Sequence, residues 1–215
     1  MNASWQDYMV AIFEINETED IATNKLISEK LSISPPSVTD MIKKMKLEGL
    51  VSVDKGVVVL TDIGYEETKK IISKHRLWEY FLRSKLNYSW VDVHDEAKSL
   101  QYITSDDLMD RLNVFLGCPV CCPHGGKIYL NSGDEKTNFL CIDDIKKGDM
   151  IKIERFSDDK DLLEYMDRKN IKLGDVLEVE DVDNFDNNMC LKSLDGNRVI
   201  VGAKALGKIF ISSYE

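Results

Sequence analysis

The sequence lacks a continuous apolar run of about 18 residues, the length at which a helix begins to span a membrane, so no transmembrane helix is predicted. Its first residues also lack a charged segment followed by an apolar one, so no signal peptide is expected. The five cysteines are then expected to be reduced thiols. These absences predict a cytoplasmic protein without a membrane partner.

Signatures of catalysis are also missing. The chain has no glycine-rich phosphate loop, no serine or cysteine nucleophile in a recognisable motif, and no strong acid–base pair. An enzyme is therefore not expected. Positive charge is scarce as well, because 28 Lys and Arg stand against 38 Asp and Glu, giving a net charge of −10. Nucleic-acid binding would therefore depend on a local basic strip and not on bulk attraction.

The N-terminal third predicts a winged helix-turn-helix. An amphipathic helix over residues 4–16 is followed by a short helix over 23–31. Ser34 is a good N-cap, and Pro35 suits the first position of a third helix that runs to about residue 48. Two short β-type runs flank a Lys-Gly turn and form the wing. In this architecture the third helix enters the major groove of DNA.

Exposed side chains of the third helix and the wing supply hydroxyls for bases and lysines for phosphates. The candidate DNA-binding residues are Ser34, Pro36, Ser37, Thr39, Asp40, Lys43, Lys44 and Lys55. Lys46 extends the same strip. Its positive excess is small, so the affinity is expected to come from paired half-sites in a dimer. A helical protein-interaction domain of the same architecture is the alternative.

The rest of the chain changes from helical to β-type patterns. Predicted helices cover residues 62–86, 92–102 and 105–116. Glycine and proline punctuate residues 117–138, which are interpreted as a linker. Short β-type runs with one helix at 159–169 then predict a small β-barrel. The fold class is α+β, with a winged helix over 1–64, a helical domain with linker over 65–138 and a barrel over 139–215.

Only three histidines occur, and each stands where a metal ligand could stand. His75 and Glu79 are one helical turn apart, His94 opens the next helix, and His124 follows a cysteine-rich segment. Imidazoles beside carboxylates and thiols suit first-row transition metals. A surface histidine, or a hydrogen-bonded core histidine, is the alternative for each position.

Seven segments together resemble the diphtheria toxin repressor family of metal-dependent regulators, over essentially the full length. They cover residues 26–31, 36–39, 48–51, 60–64, 74–77, 93–97 and 122–125. The resemblance implies a winged helix, a helical dimerisation domain and a C-terminal SH3-like barrel of the FeoA type. It also implies a homodimeric repressor of metal-homeostasis genes that binds palindromic double-stranded operator DNA in response to Fe²⁺ or Mn²⁺.

The resemblance assigns an ancillary-type metal site to His75, Glu79 and His94. A carboxylate of the barrel would complete this site. The candidates are Asp158, Asp159 and Asp161, and of these Asp159 is the predicted ligand. Mixed imidazole and carboxylate ligation suits Fe²⁺ or Mn²⁺, and Zn²⁺ as a further candidate.

At the family's primary metal site, this sequence has different residues at most of the ligand positions. Asp7 matches the ligand from the first helix, but Lys98, Gln101 and Tyr102 occupy the three positions that follow His94. A protonated lysine cannot ligate a metal ion, and tyrosine is a rare ligand for Fe²⁺ or Mn²⁺. The primary site is therefore interpreted as degenerate. One hypothesis is that Lys98 supplies the positive charge itself and pairs with Asp7, and the other is that Lys98 points into solvent.

The cysteine loop contains Cys118, Cys121, Cys122 and His124. These residues could ligate Zn²⁺, or an iron–sulfur cluster together with Cys141 or a second subunit. Reduced structural thiols and a thiol-based redox sensor are the alternatives. The leading functional hypothesis is a homodimeric DNA-binding repressor, and the competing one is a metal- or cluster-binding redox-sensing protein.

Overall fold

The computed structural model describes residues 4–17, 21–133, 139–140, 144–183 and 185–214. Helices and strands both occur, which confirms the α+β class. The chain forms two compact units, residues 1–75 and 76–215, and the boundary falls inside one long helix. Across the described ranges, no helix is long and apolar enough to cross a membrane.

The first unit is a winged helix-turn-helix, as predicted. Its elements are α1 (Trp5–Glu17), α2 (Asn24–Leu31), α3 (Pro35–Leu47), β1 (Val51–Asp54), β2 (Val57–Leu60) and the start of α4 (Asp62–Leu86). Thr23 caps α2 by accepting from the Leu26 amide, and Ser34 caps α3 by accepting from the Ser37 amide. Apolar side chains from all three helices and the wing form one core, including Met9, Ile12, Ile27, Val38 and Val58.

The wing is a tight antiparallel hairpin. Asp54 pairs with Val57, and the two residues between them, Lys55 and Gly56, have positive φ angles of 46° and 84°. Two consecutive residues of that conformation make the turn whose twist matches a two-residue hairpin. The Val58 amide also donates to the Ala22 carbonyl, which ties the wing to the segment before α2.

The second unit begins with the rest of α4 and continues with α5 (Val93–Ile103) and α6 (Asp106–Phe115). Trp78 and Phe81 of α4 pack against two small clusters of buried residues. One cluster contains Leu77, Met109, Leu112 and Ile128, and the other contains Leu82, Val93 and Ala97. These clusters fix α5 and α6 against one stripe of α4.

The interpretation of residues 117–138 as a linker is wrong for residues 117–133. The Ile128 amide donates to the Val120 carbonyl at 2.9 Å, and the Cys122 amide donates to the Gly126 carbonyl at 2.9 Å. This segment is a packed hairpin in which Cys122, His124 and Ile128 are buried. Its glycines and prolines mark a tight turn inside the fold. Residues 134–138 lie outside the described residues.

The C-terminal part of the second unit is rich in strands, as the predicted small barrel requires. Its elements are β3 (Met150–Phe156), α7 (Lys160–Lys169), β4 (Val176–Val182), β5 (Met189–Ser193), β6 (Arg198–Val201), α8 (Ala203–Leu206) and β7 (Ile209–Ser213). The strands are antiparallel in the order β6-β5-β4-β3-β7. The short helix α8 was not predicted.

The strand-rich region packs directly on the connection between α4 and α5. Trp90 and Val91 of that connection contact its apolar core, and the Trp90 ring lies edge-on to Phe156 with 5.6 Å between ring centroids. Helical and strand-rich parts of the second unit therefore share an interface, and the polar cluster described below lies at that interface.

Candidate metal centre and nucleic-acid interface

Four polar side chains from four separate segments meet inside the second unit. The Oε1 atom of Glu79 on α4 lies 3.4 Å from Nδ1 of His94 on α5. The same oxygen lies 3.3 Å from Nδ1 of His124, and Asp158 Oδ1 lies 3.0 Å from that nitrogen. Glu79 and His124 are fully buried. Carboxylates at such depth require compensating charge or ligation.

His124 is oriented as a ligand. Its Nε2 atom lies 2.6 Å from the Trp90 carbonyl, which can only accept, so Nε2 carries the proton in that contact. Although two carboxylate oxygens are near, the buried Nδ1 atom makes no hydrogen bond of good geometry. A carbonyl that fixes one imidazole nitrogen is the usual support for a metal on the other. This orphaned nitrogen fits an ion between His124 and the carboxylates.

A tight turn holds Cys122 and His124 in place. The Gly125 amide donates to the Cys122 carbonyl at 3.0 Å, and Gly125 has a φ of 85°. A Cβ at Gly125 would lie 2.3 Å from the Glu154 carbonyl oxygen, so only glycine fits against β3 there. The Phe156 amide also donates to the His124 carbonyl at 3.0 Å. The turn is thereby fixed to β3 beside the carboxylates.

Arg76 fastens the same hairpin to α4. Its Nη1 atom donates to the Lys127 carbonyl at 2.6 Å. A Cβ at Gly126 would lie 2.6 Å from Arg76 Nε, so the absence of a side chain at Gly126 makes room for the guanidinium. The arginine charge also favours the thiolate form of Cys122. Sequence reasoning missed Arg76, although its place next to His75 on the helix was a usable signal.

The donor atoms form two groups, in each of which all atoms lie within 4.8 Å of one another. One group contains His75, Glu79, His94 and Asp158, and the other contains Glu79, Cys122 and His124. His75 is one turn from Glu79 on the continuous helix α4. The residues assigned to the ancillary-type site are thus brought together, with His124 and Cys122 beside them.

The barrel carboxylate in this cluster is Asp158, which corrects the tentative choice of Asp159. Asp159 is the N-cap of α7, where its Oδ1 accepts from the Leu162 amide at 3.0 Å. Its other oxygen pairs with Lys208. Asp161 lies in the first turn of α7 and is exposed. The sequence could not show which of these three aspartates reaches the metal centre. That depends on where α7 starts, because the residue before the helix becomes its cap.

The buried carboxylates change the protonation of their neighbours. Burial lowers the pKa of His94, but the hydrogen bond with Glu79 and the charge of Asp158 outweigh burial and raise it above its ordinary value. Burial also opposes charge on His124, yet contacts with Asp158, Cys122 and Glu79 raise its pKa well above the usual range. Burial, reinforced by Glu79, raises the pKa of the Cys122 thiol to about 12. A metal ion would therefore displace protons from these ligands.

The predicted cysteine cluster is divided by the structure. Cys122 is buried beside Glu79 and His124, whereas Cys118 and Cys121 are exposed. Among the residues that the structure describes, neither exposed thiol belongs to a group of three close donors. Cys141 lies outside the described residues. The predicted four-residue thiol cluster, and with it an iron–sulfur cluster, is not supported by this arrangement.

The residues predicted to form a degenerate primary site also lack a donor group among the described residues. Asp7 accepts hydrogen bonds from the Ser4 amide at 2.7 Å and the Ser4 hydroxyl at 3.0 Å, which stabilises the start of α1. Gln101 on α5 is buried, and Lys98 and Tyr102 on the same helix are exposed. Within the described ranges, no group of three close His, Cys, Asp or Glu donors includes Asp7.

The candidate DNA-binding residues lie on α3 and the wing. All are exposed except Thr39, which is half-buried and accepts a hydrogen bond from Asn24 Nδ2 at 3.1 Å. Asp40 and Lys43 form an exposed ion pair with 3.8 Å between their charged atoms. A groove of about 460 Å³ lies beside α3. Its lining includes Thr23, Asn24, Lys25, Thr39, Lys43, Lys46 and Gly56.

The lining of this groove adds candidate DNA-binding residues on α2 that sequence reasoning missed. Asn24 and Lys25 form the first turn of α2, where unpaired backbone amides and the helix dipole favour a phosphate. Lys43 and Lys46 of α3 face the same groove. The Thr23 cap, which marks the helix start in the sequence, could have identified this end of α2 as a candidate phosphate contact.

Family models match three consecutive parts of the chain. They are the iron dependent repressor N-terminal DNA-binding domain at residues 1–57, the iron dependent repressor metal-binding and dimerisation domain at 61–130, and the FeoA domain at 141–213. The chain belongs to the iron-dependent repressor family. This family consists of metal-dependent, DNA-binding transcriptional regulators and not of enzymes.

Relatives and solved structures agree with the family assignment. An uncharacterized HTH-type transcriptional regulator of Methanocaldococcus jannaschii, MJ0568, is 33% identical over 119 residues, which are 54% of this chain and 94% of that relative. The iron-dependent repressor IdeR of Mycobacterium tuberculosis is 30% identical over 123 residues, 56% of this chain and 53% of IdeR. The chain therefore spans about half the length of IdeR.

The structure of the manganese regulator SloR matches with a TM-score of 0.87, at 33% identity and full coverage of both chains. ScaR with bound Zn²⁺ matches with a TM-score of 0.88 at 30% identity, covering 99% of this chain and all of that one. These similarities support metal dependence. They give no support to the alternative of an iron–sulfur or redox-sensing protein.

Proposed function

We propose that this chain is a homodimeric, metal-responsive transcriptional repressor that controls metal-ion homeostasis genes in the cytoplasm. The observation that carries the proposal is the buried His124 nitrogen, which is aimed at the Glu79 and Asp158 carboxylates without a hydrogen bond of its own. A DNA-binding unit in the same chain gives such a centre a regulatory output.

The donor set fits a divalent transition metal. His75, Glu79, His94, Cys122, His124 and Asp158 would hold it. Imidazole and carboxylate donors suit Fe²⁺ or Mn²⁺, and the buried thiol extends the range to Zn²⁺. When bound, the ion supplies positive charge that fixes ligands from α4, α5, the 122–125 turn and the Asp158 segment in one arrangement. The surrounding groups orient the ligands, because the Trp90 carbonyl fixes the His124 ring and Arg76 fixes the hairpin.

The DNA contacts would come from the first unit. Lys25, Lys43 and Lys46 would neutralise phosphates along the groove, and the α3 start would present Ser34, Pro36 and Ser37 to base edges. The net charge of −10 over the whole chain opposes non-specific binding. Two such units in a homodimer would read a palindromic operator with half-sites about one helical turn, or multiples of it, apart.

Exposed apolar side chains of the second unit support the homodimer. Ile103 at the end of α5 and Val114 and Phe115 at the end of α6 are each more than half exposed. Apolar side chains clustered on the surface of a small helical region commonly mark a protein interface. The match to a dimerisation domain at residues 61–130 includes all three positions.

The primary position would no longer bind an ion. Lys98, Gln101 and Tyr102 are poor ligands, and we propose that the fixed charge of Lys98 replaces a divalent ion there. The centre around Glu79 would then be the remaining effector site.

Selection of bound duplexes from a random DNA library, followed by binding titrations with Mn²⁺, Fe²⁺ or a chelator, tests the function. We expect enrichment of a palindrome, one dimer per site by light scattering, and weaker binding after chelation. Glu79→Gln should weaken the metal response, whereas Lys204→Ala on the exposed surface of the FeoA region should not. Absence of any enriched duplex under every metal condition would contradict the proposed function.

A further inference from the structure

One carboxylate interrupts the basic outer face of α3. Lys43, Lys44 and Lys46 lie along this helix, and Asp40 is its single acidic residue. DNA presents a dense array of negative phosphates to any protein that binds it. An exposed carboxylate on a DNA-binding helix therefore lowers the affinity unless it meets a hydrogen-bond donor of the DNA.

Asp40 lies at the centre of the face that α3 turns away from the core. Helical periodicity places Asp40 on one stripe with Pro36 and Lys43, opposite the buried Val38 and Met45. The Asp40 side chain is 74% exposed. When a recognition helix enters the major groove, the outward stripe of its first turns faces the edges of the bases. The carboxylate would therefore meet bases and not the phosphate backbone.

The major groove offers a carboxylate few partners. An ionised carboxylate only accepts hydrogen bonds, and the donors on the base edges are the amino groups of cytosine and adenine. In an A·T pair the adenine amino group lies between two acceptors, adenine N7 and thymine O4, which repel the second carboxylate oxygen. In a G·C pair the cytosine amino group lies at the end of the row, with acceptors on one side only. A carboxylate therefore favours cytosine.

We propose that Asp40 specifies one cytosine in each half-site of the operator by accepting a hydrogen bond from the N4 amino group. The inference rests on the proposed DNA-binding function and names the base that one residue of α3 reads. Two copies of α3 in the proposed homodimer would place the two cytosines at symmetry-related positions of a palindrome.

Lys43 offsets the negative charge of Asp40 without holding the carboxylate in place. Its Nζ atom lies 3.8 Å from Asp40 Oδ1, and both side chains are exposed. An ion pair between exposed groups is weak. The carboxylate can therefore turn to a base while the lysine reaches a phosphate, and the pair keeps this turn of α3 close to neutral beside the DNA.

The neighbouring Thr39 hydroxyl is engaged within the protein. Thr39 Oγ1 accepts a hydrogen bond from Asn24 Nδ2 at 3.1 Å and donates its proton to the Pro35 carbonyl at 3.1 Å. These two contacts tie α3 to α2 and fix the rotation of the helix. The reading of a base in the second turn of α3 then falls to Asp40, whose side chain projects beyond Thr39.

Parallel selections from a random DNA library, with the full-length parent protein and Asp40 variants at saturating Mn²⁺, test this readout. The parent should enrich a palindrome with one cytosine per half-site whose replacement in one half-site weakens binding about 5- to 150-fold. Asp40→Asn should change that single position to adenine, because an amide both donates to N7 and accepts from the N6 amino group. Asp40→Ala should lose the preference there and retain it at every other position.

Asp54→Asn is the matched control, because it removes the same charge from an exposed position in β1 of the wing. This control should select the same sequence as the parent. Titrations of each variant against the selected duplex and its cytosine-to-adenine counterpart measure the fold-change in preference.

Two results would overturn the inference. One is selection of the parent half-site by Asp40→Asn. The other is an equal gain in affinity of Asp40→Asn for all sequences, which would show that Asp40 acts only through its charge. Both results leave the proposed function intact, because the parent still binds a palindrome. Absence of any enriched duplex for the parent under every metal condition would contradict the proposed function, and this inference with it.

Discussion

At the scale of single residues, the site was only partly visible in the sequence. The pair His75 and Glu79 was predicted because helical periodicity places residues four apart on one face. The approach of His124 to Glu79 at 3.3 Å was not predicted, because it depends on how the 122–125 turn packs against β3. Helical periodicity carries no such information about distant segments.

Replacement of Gly125 by alanine should damage both the fold and the site. Its φ of 85° is unfavourable for alanine, and the added Cβ would lie 2.3 Å from the Glu154 carbonyl oxygen. We expect a loss of about 1–3 kcal/mol in the free energy of unfolding and weaker metal binding, because the turn carries His124. Urea denaturation and metal titration measure the two effects.

Gly133→Ala is the matched control, since a Cβ at Gly133 meets no heavy atom within 4 Å. The control should unfold and bind metal like the parent protein. Equal behaviour of the two variants would show that the turn does not hold the site.

Metal affinity should rise with pH. Contacts with the buried carboxylates raise the pKa of His94 and His124, and burial raises that of Cys122 to about 12, so each group holds its proton more tightly than it would in water. Each proton that the metal displaces makes the association constant rise about tenfold per pH unit, and affinity is lost as the pH falls.

Calorimetry in buffers of different ionisation enthalpy counts the released protons between pH 6 and 8. His124→Asn should release fewer protons than the parent protein. A pH-independent association constant without proton release would contradict this protonation scheme.

At the scale of elements, the bounds of α1 to α7 were predicted to within a residue or two, because caps and periodicity are local signals, whereas the four-residue α8 was missed. The bounds of α4, Asp62–Leu86, agree with the predicted 62–86. The failure at residues 117–133 has a physical cause. Glycine and proline indicate turns both in loose linkers and in packed hairpins, and only the burial of Cys122 and Ile128 distinguishes the two.

The groove beside α3 leads us to expect that Lys46 contacts a phosphate of DNA. Lys46→Ala should lower the slope of log affinity against log salt by about one unit for each phosphate contact that is lost, with little change in sequence preference. Lys204→Ala removes an equal charge from α8 in the FeoA region. Fluorescence anisotropy over a salt series measures both slopes. Equal slopes for the two variants would show that the groove does not contact DNA.

At the scale of the whole molecule, a DNA-binding domain, a metal-binding and dimerisation domain and a FeoA domain follow one another along the chain. The fold of each was predictable, since each has its own local periodicity. The proposed regulation depends on how many effector ions the chain needs. If Lys98, Gln101 and Tyr102 bind no ion, as we propose, that number is smaller than the resemblance alone implies.

Lys98→Ala tests whether a fixed charge replaces the primary ion. If it does, the variant should bind operator DNA up to about fivefold more weakly even at saturating metal, because a charge pair of an exposed lysine contributes at most about 1 kcal/mol. Lys98→Arg should retain most of the affinity, since it keeps the charge. Lys85→Ala, at an exposed position in the last turn of α4, is the control for loss of a surface lysine. If chelation abolishes operator binding of the parent protein while Lys98→Ala has no effect at saturating metal, the fixed-charge hypothesis fails and the Glu79 centre alone controls the protein.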